Sequence, residues 1–388
     1  MAMTSRERML AAITREQAPD RLPVTTHHIM PYFLNKHMGG MGTQEFFDCL
    51  GFDAITWELQ HRPDEGQGEF ADPNQRKLGF LESQRVATEN WRVDCEDLPD
   101  PQFKTTRYYF RTPKGTLTMV LQANDQTAWI AEYLIKEKRD IELLGQFMTH
   151  PKCDVAAVNR AAEAFGERGI VRGHICGFDV FGQAGVWQDA ACIVPLESLI
   201  MATYDDPAWV HELLRILMER KLTYIRSSEG AKYDLFEGGG GAASSTVISP
   251  KLFEQFVAPY DTPLIEAAHA VGQRVAYHTC GGMMPILELI AEMGPDCMET
   301  LTPPAMGGDM NLAEAKRRVG DRVCLIGGFD QFHGFLGCSE AETRAEVRRC
   351  FAEVGPGGGY ILSPSDHFFD ADPELIKAFV DEARKCSY

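Results

Sequence analysis

The residues of this chain best suited to chemistry are histidines, cysteines and carboxylates that follow short apolar segments. His278 and Cys280 form an H-x-C pair at the end of one such segment. Residues two apart on a strand project from the same face, so both side chains can reach one ion. Zinc binds imidazole and thiolate, and a catalytic zinc site keeps about three protein ligands and one open position. The pair alone is more often a packed strand end with a buried thiol, so further ligands must be sought.

Two other segments end in similar groups. His174 begins a second H-x-C-G sequence. Two complete metal sites are not expected side by side, so His174 either orients a substrate or is a satisfied core histidine. Glu237 precedes four consecutive glycines. Its carboxylate is a candidate metal ligand, a candidate general base or a cap for the following helix.

Carboxylates also follow three further apolar segments. Glu58 and Glu299 have positions similar to that of Glu237, and acidic groups clustered in a closed site perturb one another's proton affinity. Asp366 and His367 follow the last segment, where a third metal ligand would lie. Adjacent side chains of an extended chain point in opposite directions, so the sequence leaves open which of the two faces the ion.

The elements that position these groups read as strands alternating with helices. Eight short apolar runs, bounded by turn residues, are predicted strands: 21–26, 54–59, 170–176, 235–238, 275–280, 297–302, 323–329 and 360–364. Eight parallel strands alternating with helices predict an α/β fold of the (β/α)8, or TIM-barrel, type, with chemistry at the carboxyl ends of the strands. An open doubly wound sheet is the alternative, but the first strand–helix turn lacks a G-x-G-x-x-G sequence.

One region interrupts this alternation. Residues 79–136 are rich in β-branched and aromatic side chains, and Pro113–Lys114–Gly115 separates two strand-like halves. This pattern predicts a small antiparallel hairpin insert within a single domain that spans residues 1–388. The insert offers a surface for docking or dimerisation.

Composition and charge exclude several classes of protein. The chain has 388 residues, 44% of them hydrophobic, and 38 Lys+Arg against 56 Asp+Glu give a net charge of −18. These values oppose disorder and nucleic-acid binding, because an acidic surface repels phosphate. The sequence has neither a membrane-spanning apolar run nor a secretory signal. Eleven scattered cysteines indicate thiols in a reducing cytoplasm.

Several segments resemble, in order, those of the uroporphyrinogen decarboxylase superfamily. They are TSRERMLAAITREQAPDRLPV, ISPKLFEQFVAPY, VAYHTCGGMMPILELI, DRVCLIGGFD and GGYILSPSDHFFDADPELIKAF. The resemblance covers nearly the whole chain outside the insert and implies a (β/α)8 barrel. The superfamily includes cofactor-free decarboxylases of uroporphyrinogen and zinc methyltransferases that work with corrinoid proteins. The resemblance also suggests a homodimer.

The sequence departs from the decarboxylase pattern. The Arg-rich loop that holds the acidic tetrapyrrole in that branch corresponds here to TTHHIMPY, residues 25–32, which contain no arginine. The substrate-binding aspartate of that branch corresponds to Glu58. A chain of charge −18 without those arginines is poorly suited to a polycarboxylate. Uroporphyrinogen decarboxylation is therefore not expected.

The zinc methyltransferase branch fits better, with one departure. His278 and Cys280 match its H-x-C pair, but the later family cysteine is replaced by Asp366, with His367 beside it. A carboxylate in place of a thiolate makes the zinc a stronger Lewis acid, suited to polarising an ether oxygen. The resemblance thus implies Zn²⁺ on His278, Cys280 and Asp366, with Glu237 as a further candidate.

The sequence therefore predicts an O-demethylase-type methyltransferase. It would pass a methyl group from a methoxylated, aromatic small molecule to cobalamin on a separate corrinoid protein, with Glu58, His174 and Glu237 as candidate catalytic residues. Five aromatic side chains are candidates to enclose the ring: Trp57, Trp187, Phe236, Phe368 and Phe369. Two alternatives stay open: a decarboxylase or other lyase acting on a non-porphyrin substrate, and a non-enzymatic binding protein.

Overall fold

A computed structural model describes residues 2–59, 61–62, 68–70 and 85–388 of the chain. The part of the predicted insert before residue 85 therefore lies outside the described residues. The strands are β1 (Ala54–Trp57), β2 (His61–Arg62), β3 (Gly68–Phe70), β4 (Arg85–Ala87), β5 (Arg92–Leu98), β6 (Lys104–Thr112), β7 (Gly115–Ala123), β8 (Ala128–Glu132), β9 (Lys152–Cys153), β10 (Gly169–His174), β11 (Leu235–Gly239), β12 (Val275–His278), β13 (Cys297–Thr300), β14 (Cys324–Phe329) and β15 (Tyr360–Pro364).

Helices alternate with the later strands, and four short 3-10 helices lie between them in the described part of the chain. The α-helices are α1 (Ser5–Thr14), α2 (Pro31–His37), α3 (Thr43–Leu50), α4 (Asp140–Phe147), α5 (Val155–Phe165), α6 (Val186–Ile193), α7 (Leu196–Asp205), α8 (Pro207–Arg226), α9 (Pro250–Phe256), α10 (Ala258–Ala270), α11 (Leu287–Glu292), α12 (Leu312–Val319), α13 (Gln331–Gly334), α14 (Glu340–Val354) and α15 (Pro373–Ala383). No helix in the described part of the chain is long and apolar enough to cross a bilayer.

The helices begin where the capping residues predict. Thr4 and Ser339 each form a capping box with the glutamate three residues later. Asp206, Ser249 and Asp372 each cap a helix whose first residue is proline. These side chains accept hydrogen bonds from amides that have no partner within the helix, which fixes where each helix starts.

The central sheet confirms the predicted barrel. Seven parallel strands pair in the order β1-β10-β11-β12-β13-β14-β15. Their residues are almost all buried, as expected for strands covered on both faces.

The predicted first strand, residues 21–26, contributes a single bridge. Val24 pairs with Leu362 of β15, and its carbonyl accepts the amide of Asp53, just before β1. Val24 thus links the two outermost strands and closes the ring. Pro23 has no amide hydrogen, and the Val24 amide donates to the Asp53 carboxylate at 3.0 Å, so a regular strand ladder cannot form here.

The described part of the insert contains an antiparallel sheet of four strands, β5-β6-β7-β8. Thr112 pairs with Gly115 across the predicted turn at Pro113–Lys114. One side of this sheet packs on the loop that follows β10, where the Trp91 indole donates to Asp179 at 2.9 Å and the Phe110 and Phe178 rings lie 5.1 Å apart. The insert therefore borders the carboxyl-end mouth of the barrel.

Candidate metal and catalytic site

The register of the parallel strands brings the polar residues of the mouth together. Arg172 and His174 lie two apart on β10, so they share one face of the sheet. Their register partners carry further functional groups: Trp57 is opposite Arg172, and Glu237 is opposite His174. On the next strands His278 is opposite Glu299.

Arg172 is the electrostatic centre of this mouth. It is 1% exposed, and its guanidinium lies over the Trp57 ring at 4.6 Å. Nη1 and Nη2 donate to the two oxygens of Glu299 at 3.0 and 2.8 Å, and Nη2 also donates to Glu237 at 3.3 Å. Burial raises the pKa of Glu299, but the charge of Arg172, together with the adjacent His27 and His278, outweighs it and holds that pKa well below its usual value. Glu299 is therefore an ionised carboxylate bound to a fixed cation.

Two imidazoles lie against the same carboxylate. Nδ1 of His27 and Nδ1 of His278 are each 3.3 Å from Oε1 of Glu299, and the two ring centroids are 4.8 Å apart. Nε2 of His27 lies 3.2 Å from Glu237 but has no aligned hydrogen-bond partner among the described residues. A buried ring nitrogen without a partner indicates a place for a ligand or an ion.

The predicted pair of His278 and Cys280 is present. Nε2 of His278 lies 3.2 Å from the Cys280 sulfur. Burial lowers the pKa of His278, but the charge and hydrogen bond of Cys280, together with Glu299 and Glu237, raise it well above the ordinary value. A mutual contact of imidazole and thiol within a buried acidic cluster is the environment in which a soft divalent ion replaces a proton.

The other predicted residues take different positions. Nε2 of His174 is 3.9 Å from Glu237 and has no hydrogen-bond partner within the described part of the chain, and burial lowers the pKa of this histidine. The Asp366 carboxylate accepts the backbone amide of His367 at 2.7 Å and lies 2.8 Å from its Nδ1. Burial opposes the ionisation of Asp366, but His367 and, next, His278 lower its pKa.

Glu58 has contacts outside this cluster. Its carboxylate accepts the Thr56 hydroxyl at 3.4 Å, and its backbone carbonyl accepts the Tyr233 hydroxyl at 3.1 Å. Trp57 lies between Thr56 and Glu58, so its side chain projects to the opposite face of the strand, toward Arg172.

Three of the five candidate aromatic residues belong to the core. Trp187, Phe236 and Phe368 are at most 2% exposed. Trp57 is partly buried against Arg172, and Phe369 packs edge-on against the rings of Tyr32 and His367.

Sequence reasoning missed the roles of His27 and Arg172. His27 lies in TTHHIMPY, whose distinguishing feature in the sequence is its lack of arginine, and Arg172 lies within the predicted strand 170–176. One signal was available: an arginine two residues before His174 in a buried strand must share the face of that histidine and needs a carboxylate partner.

The donor set fits a divalent metal ion. His27, Glu237, His278 and Glu299 each offer a ligand atom, and these atoms lie within 4.8 Å of one another. Imidazole nitrogen and carboxylate oxygen are ligands of zinc and related ions. Nε2 of His27, which has no hydrogen-bond partner among the described residues, adds to this fit. The Cys280 sulfur lies beside this group, 3.2 Å from Nε2 of His278, but is not one of its members.

A parallel barrel with a buried histidine–carboxylate centre at its carboxyl end is the architecture of an enzyme. Residues 155–386 match the family model for uroporphyrinogen decarboxylase (URO-D), so the chain belongs to this family.

Two uroporphyrinogen decarboxylases illustrate the relation. That of Thioalkalivibrio sulfidiphilus is 31% identical over 190 residues, and that of Neisseria meningitidis serogroup C is 30% identical over 193 residues. Each alignment covers 47% of this chain and 50% of the relative, so the chain spans about half the length of the curated relatives it matches. A methyltransferase from Methanosarcina mazei shares the fold over 98% of both chains, with a TM-score of 0.57 and 16% identity.

Proposed function

We propose that this chain is a zinc-dependent methyltransferase that transfers a methyl group from a methoxylated, aromatic small molecule to a separate corrinoid protein. The observation that carries this proposal is the partly buried contact between His278 and Cys280, beside Glu237, at the barrel mouth. A mixed nitrogen, sulfur and oxygen donor set is suited to zinc. The resemblance to corrinoid-system methyltransferases and the shared fold of the Methanosarcina methyltransferase agree with it.

The transfer balances without a further reactant. The bond between the methyl carbon and the ether oxygen breaks, the methyl group passes to cobalt(I) of the partner, and the oxygen leaves with its electron pair and gains a proton. Zinc at this centre would supply Lewis-acid polarisation of that oxygen.

The chain's own residues would bind the metal ion and orient the substrate. His278, Cys280 and Glu237 would hold the ion, with Asp366 as a further candidate from the sequence. His174 has a lowered pKa, and its Nε2 has no hydrogen-bond partner in the described part of the chain, so we assign it to orienting the substrate oxygen as a neutral imidazole. Glu58 is proposed to contact the substrate at the rim. We also propose that residues 1–388 form one domain, in which the insert 79–136 receives the corrinoid partner or a second copy of the chain.

The test combines metal analysis with a methyl-transfer assay. We expect one zinc per chain, and zinc-dependent methylation of cob(I)alamin by a panel of methoxylated aromatics, followed by the cobalamin spectrum. Cys280→Ala should lose both properties. Cys49→Ala, at an exposed position of α3, is the matched control and should keep both. A zinc-loaded protein that demethylates no member of the panel, with free cobalamin or with corrinoid proteins, would contradict the proposal.

A lyase acting on a non-porphyrin carboxylate is the second candidate, because the URO-D relatives are decarboxylases by name. Its proton donor would have to be His278, since Glu299 is held ionised by Arg172. Release of CO2 from carboxylated aromatics by metal-free protein would favour this candidate over methyl transfer.

A further inference from the structure

The arrangement of ring nitrogens around Glu299 distinguishes the residues that can bind the ion directly from those that orient these ligands. One oxygen of Glu299, Oε1, lies 3.3 Å from Nδ1 of both His27 and His278. Metal-ligating histidines commonly donate their second ring N–H to a carboxylate, which fixes the tautomer and leaves the other nitrogen for the ion. Glu299 is therefore placed to orient two imidazoles at once.

Glu299 is poorly available as a ligand itself. Arg172 engages both of its oxygens, at 2.8 and 3.0 Å, and both side chains are 2% exposed. Breaking a buried, bidentate ion pair leaves an uncompensated charge, which is strongly unfavourable. The four atoms left for an ion are Nε2 of His27, Nε2 of His278, the Cys280 sulfur and a Glu237 oxygen.

These four atoms form two close pairs. Nε2 of His27 is 3.2 Å from Glu237, and Nε2 of His278 is 3.2 Å from the Cys280 sulfur. His27 is 5% exposed, and its Nε2 lacks an aligned partner within the described residues. Asp366, the ligand expected from the sequence, is instead bonded to the amide and ring of His367.

We propose that His27 is a ligand of the metal through Nε2, together with His278, Cys280 and Glu237, and that Glu299 and Arg172 form the outer layer that orients both histidines. This inference deepens the proposed function and rests on its metal centre. Nη1 of Arg172 also lies 3.1 Å from Nδ1 of His27, a contact that requires the tautomer with hydrogen on Nε2. Metal binding would select the other tautomer, in which Nδ1–H donates to Glu299.

The first test counts ligands in the wild-type protein, so it does not depend on a variant that folds. X-ray absorption at the zinc edge of the zinc-loaded chain should fit two imidazoles and one sulfur. A fit with one imidazole, or a protein that takes up no zinc, would overturn the proposal.

The second test measures zinc affinity by competition with a chromophoric chelator. We expect His27→Gln to weaken binding at least about 100-fold, and Glu299→Gln about 10- to 100-fold, the range observed for outer-layer partners. His28→Gln is the matched control, because His28 is the neighbouring buried histidine with its ring 3.7 Å from His27. It should change affinity by less than about threefold. Equal effects of the His27 and His28 variants would contradict the assignment.

Cobalt(II) substitution distinguishes a lost ligand from a loosened fold. The His27→Gln protein should keep the sulfur-to-cobalt charge-transfer band, because Cys280 remains, while the ligand-field bands change. Unchanged ligand-field bands would count against His27. A two-imidazole zinc site without methyl transfer would support the ligand assignment and contradict the proposed function. Methyl transfer at a one-imidazole site would support the proposed function and contradict the ligand assignment.

Discussion

The two ends of the barrel each bury arginine against carboxylate, but among the described residues only the arginine network at the mouth contains polar atoms without partners. At the amino-terminal end, Asp53 accepts four hydrogen bonds: from Arg8 at 2.7 Å, from Arg21 twice at 3.0 Å and from the Val24 amide at 3.0 Å. Both of its oxygens are saturated. A completed network of this kind supports the fold and offers nothing to a ligand.

At the mouth the corresponding network is incomplete. Nε of Arg172, Nε2 of His27 and Nε2 of His174 are buried without hydrogen-bond partners among the described residues. Leaving such groups unpaired costs free energy, so their concentration at one end of a barrel indicates that a ligand or ion completes them. The comparison separates two uses of the same side chains: stability at the amino-terminal end and binding at the carboxyl-terminal end.

The amino-terminal end also repeats one structural arrangement. Three aspartates stand immediately before parallel strands, and each accepts a backbone amide from a neighbouring chain segment: Asp53 from Val24, Asp234 from Val171 and Asp296 from Val275. Each also has a basic partner, which differs in burial. This series allows the contribution of the amino-terminal end to stability to be tested one aspartate at a time.

The largest expected effect comes from breaking the saturated network. Asp53→Ala leaves Arg8 and Arg21, both largely buried, without their shared carboxylate. Removing one partner of a buried ion pair destabilises by about 3–5 kcal/mol. Urea unfolding should show this loss, while the zinc affinity of the folded protein stays within about twofold.

Asp20→Ala is the control for this prediction, because Asp20 also binds Arg8 but is more exposed. We expect it to cost at most about 1 kcal/mol. A loss of zinc affinity in Asp53→Ala as large as in Glu299→Gln would remove the distinction between the two ends.

The buried carboxylate of Asp261, which contacts no cation among the described residues, is predicted to destabilise the protein as the pH rises. Asp261 accepts the Val186 amide at 2.9 Å and the Tyr277 hydroxyl at 3.0 Å, and burial raises its pKa to about 6. Because the folded pKa exceeds the unfolded value, the stabilising contribution is complete below about pH 4 and is lost as the pH rises through 6. A shift of about two units corresponds to about 3 kcal/mol.

Asp261→Asn should flatten this part of the pH profile. The amide oxygen can still accept from Val186, and its NH2 group can donate to Tyr277. The free energy of unfolding should be compared between pH 4 and 7 in wild type and variant, with Asp48→Asn, at an exposed position of α3, as the control. Parallel profiles for wild type and Asp261→Asn would disprove this assignment.

The incomplete network predicts that metal stabilises the fold. Zinc at 100 times its dissociation constant should raise the free energy of unfolding by about 2.7 kcal/mol. The His278→Ala, Cys280→Ala double variant should show almost none of this increase, and His28→Gln should show all of it. An equal increase in all three proteins would mean that zinc stabilises the chain at some other place.

The sequence predicts well what depends on local pattern. The later strands begin and end within two residues of their predicted bounds because buried parallel strands are continuous apolar runs between turn residues. The H-x-C pair was found because spacing within one strand determines which side chains share a face. The first strand was overpredicted, since Pro23 and the Asp53 carboxylate together remove the amides that a ladder needs.

The rest of the site depends on register between distant strands. His27 meets Glu299 across more than 270 residues of sequence, and Arg172 reaches the same carboxylate from another strand. No local pattern in TTHHIMPY distinguishes His27 from His28, although it is His27 that contacts Glu299 and Glu237. Which charged groups neutralise one another is decided by strand order and stagger, so these contacts follow from the fold rather than from any motif.

The smallest predicted effect concerns the most exposed aspartate of the series. His269 contacts Asp296 at 2.9 Å, but its side chain is 42% exposed, so His269→Ala should change stability by less than about 0.5 kcal/mol. Asp296→Ala should cost about 1–3 kcal/mol, because the Val275 amide at the start of β12 then loses its acceptor. Urea unfolding of the two variants separates these contributions. Equal losses would mean that the ion pair, rather than the backbone hydrogen bond, is what the aspartate provides, and the amino-terminal end would then resemble the mouth more closely than Asp53 implies.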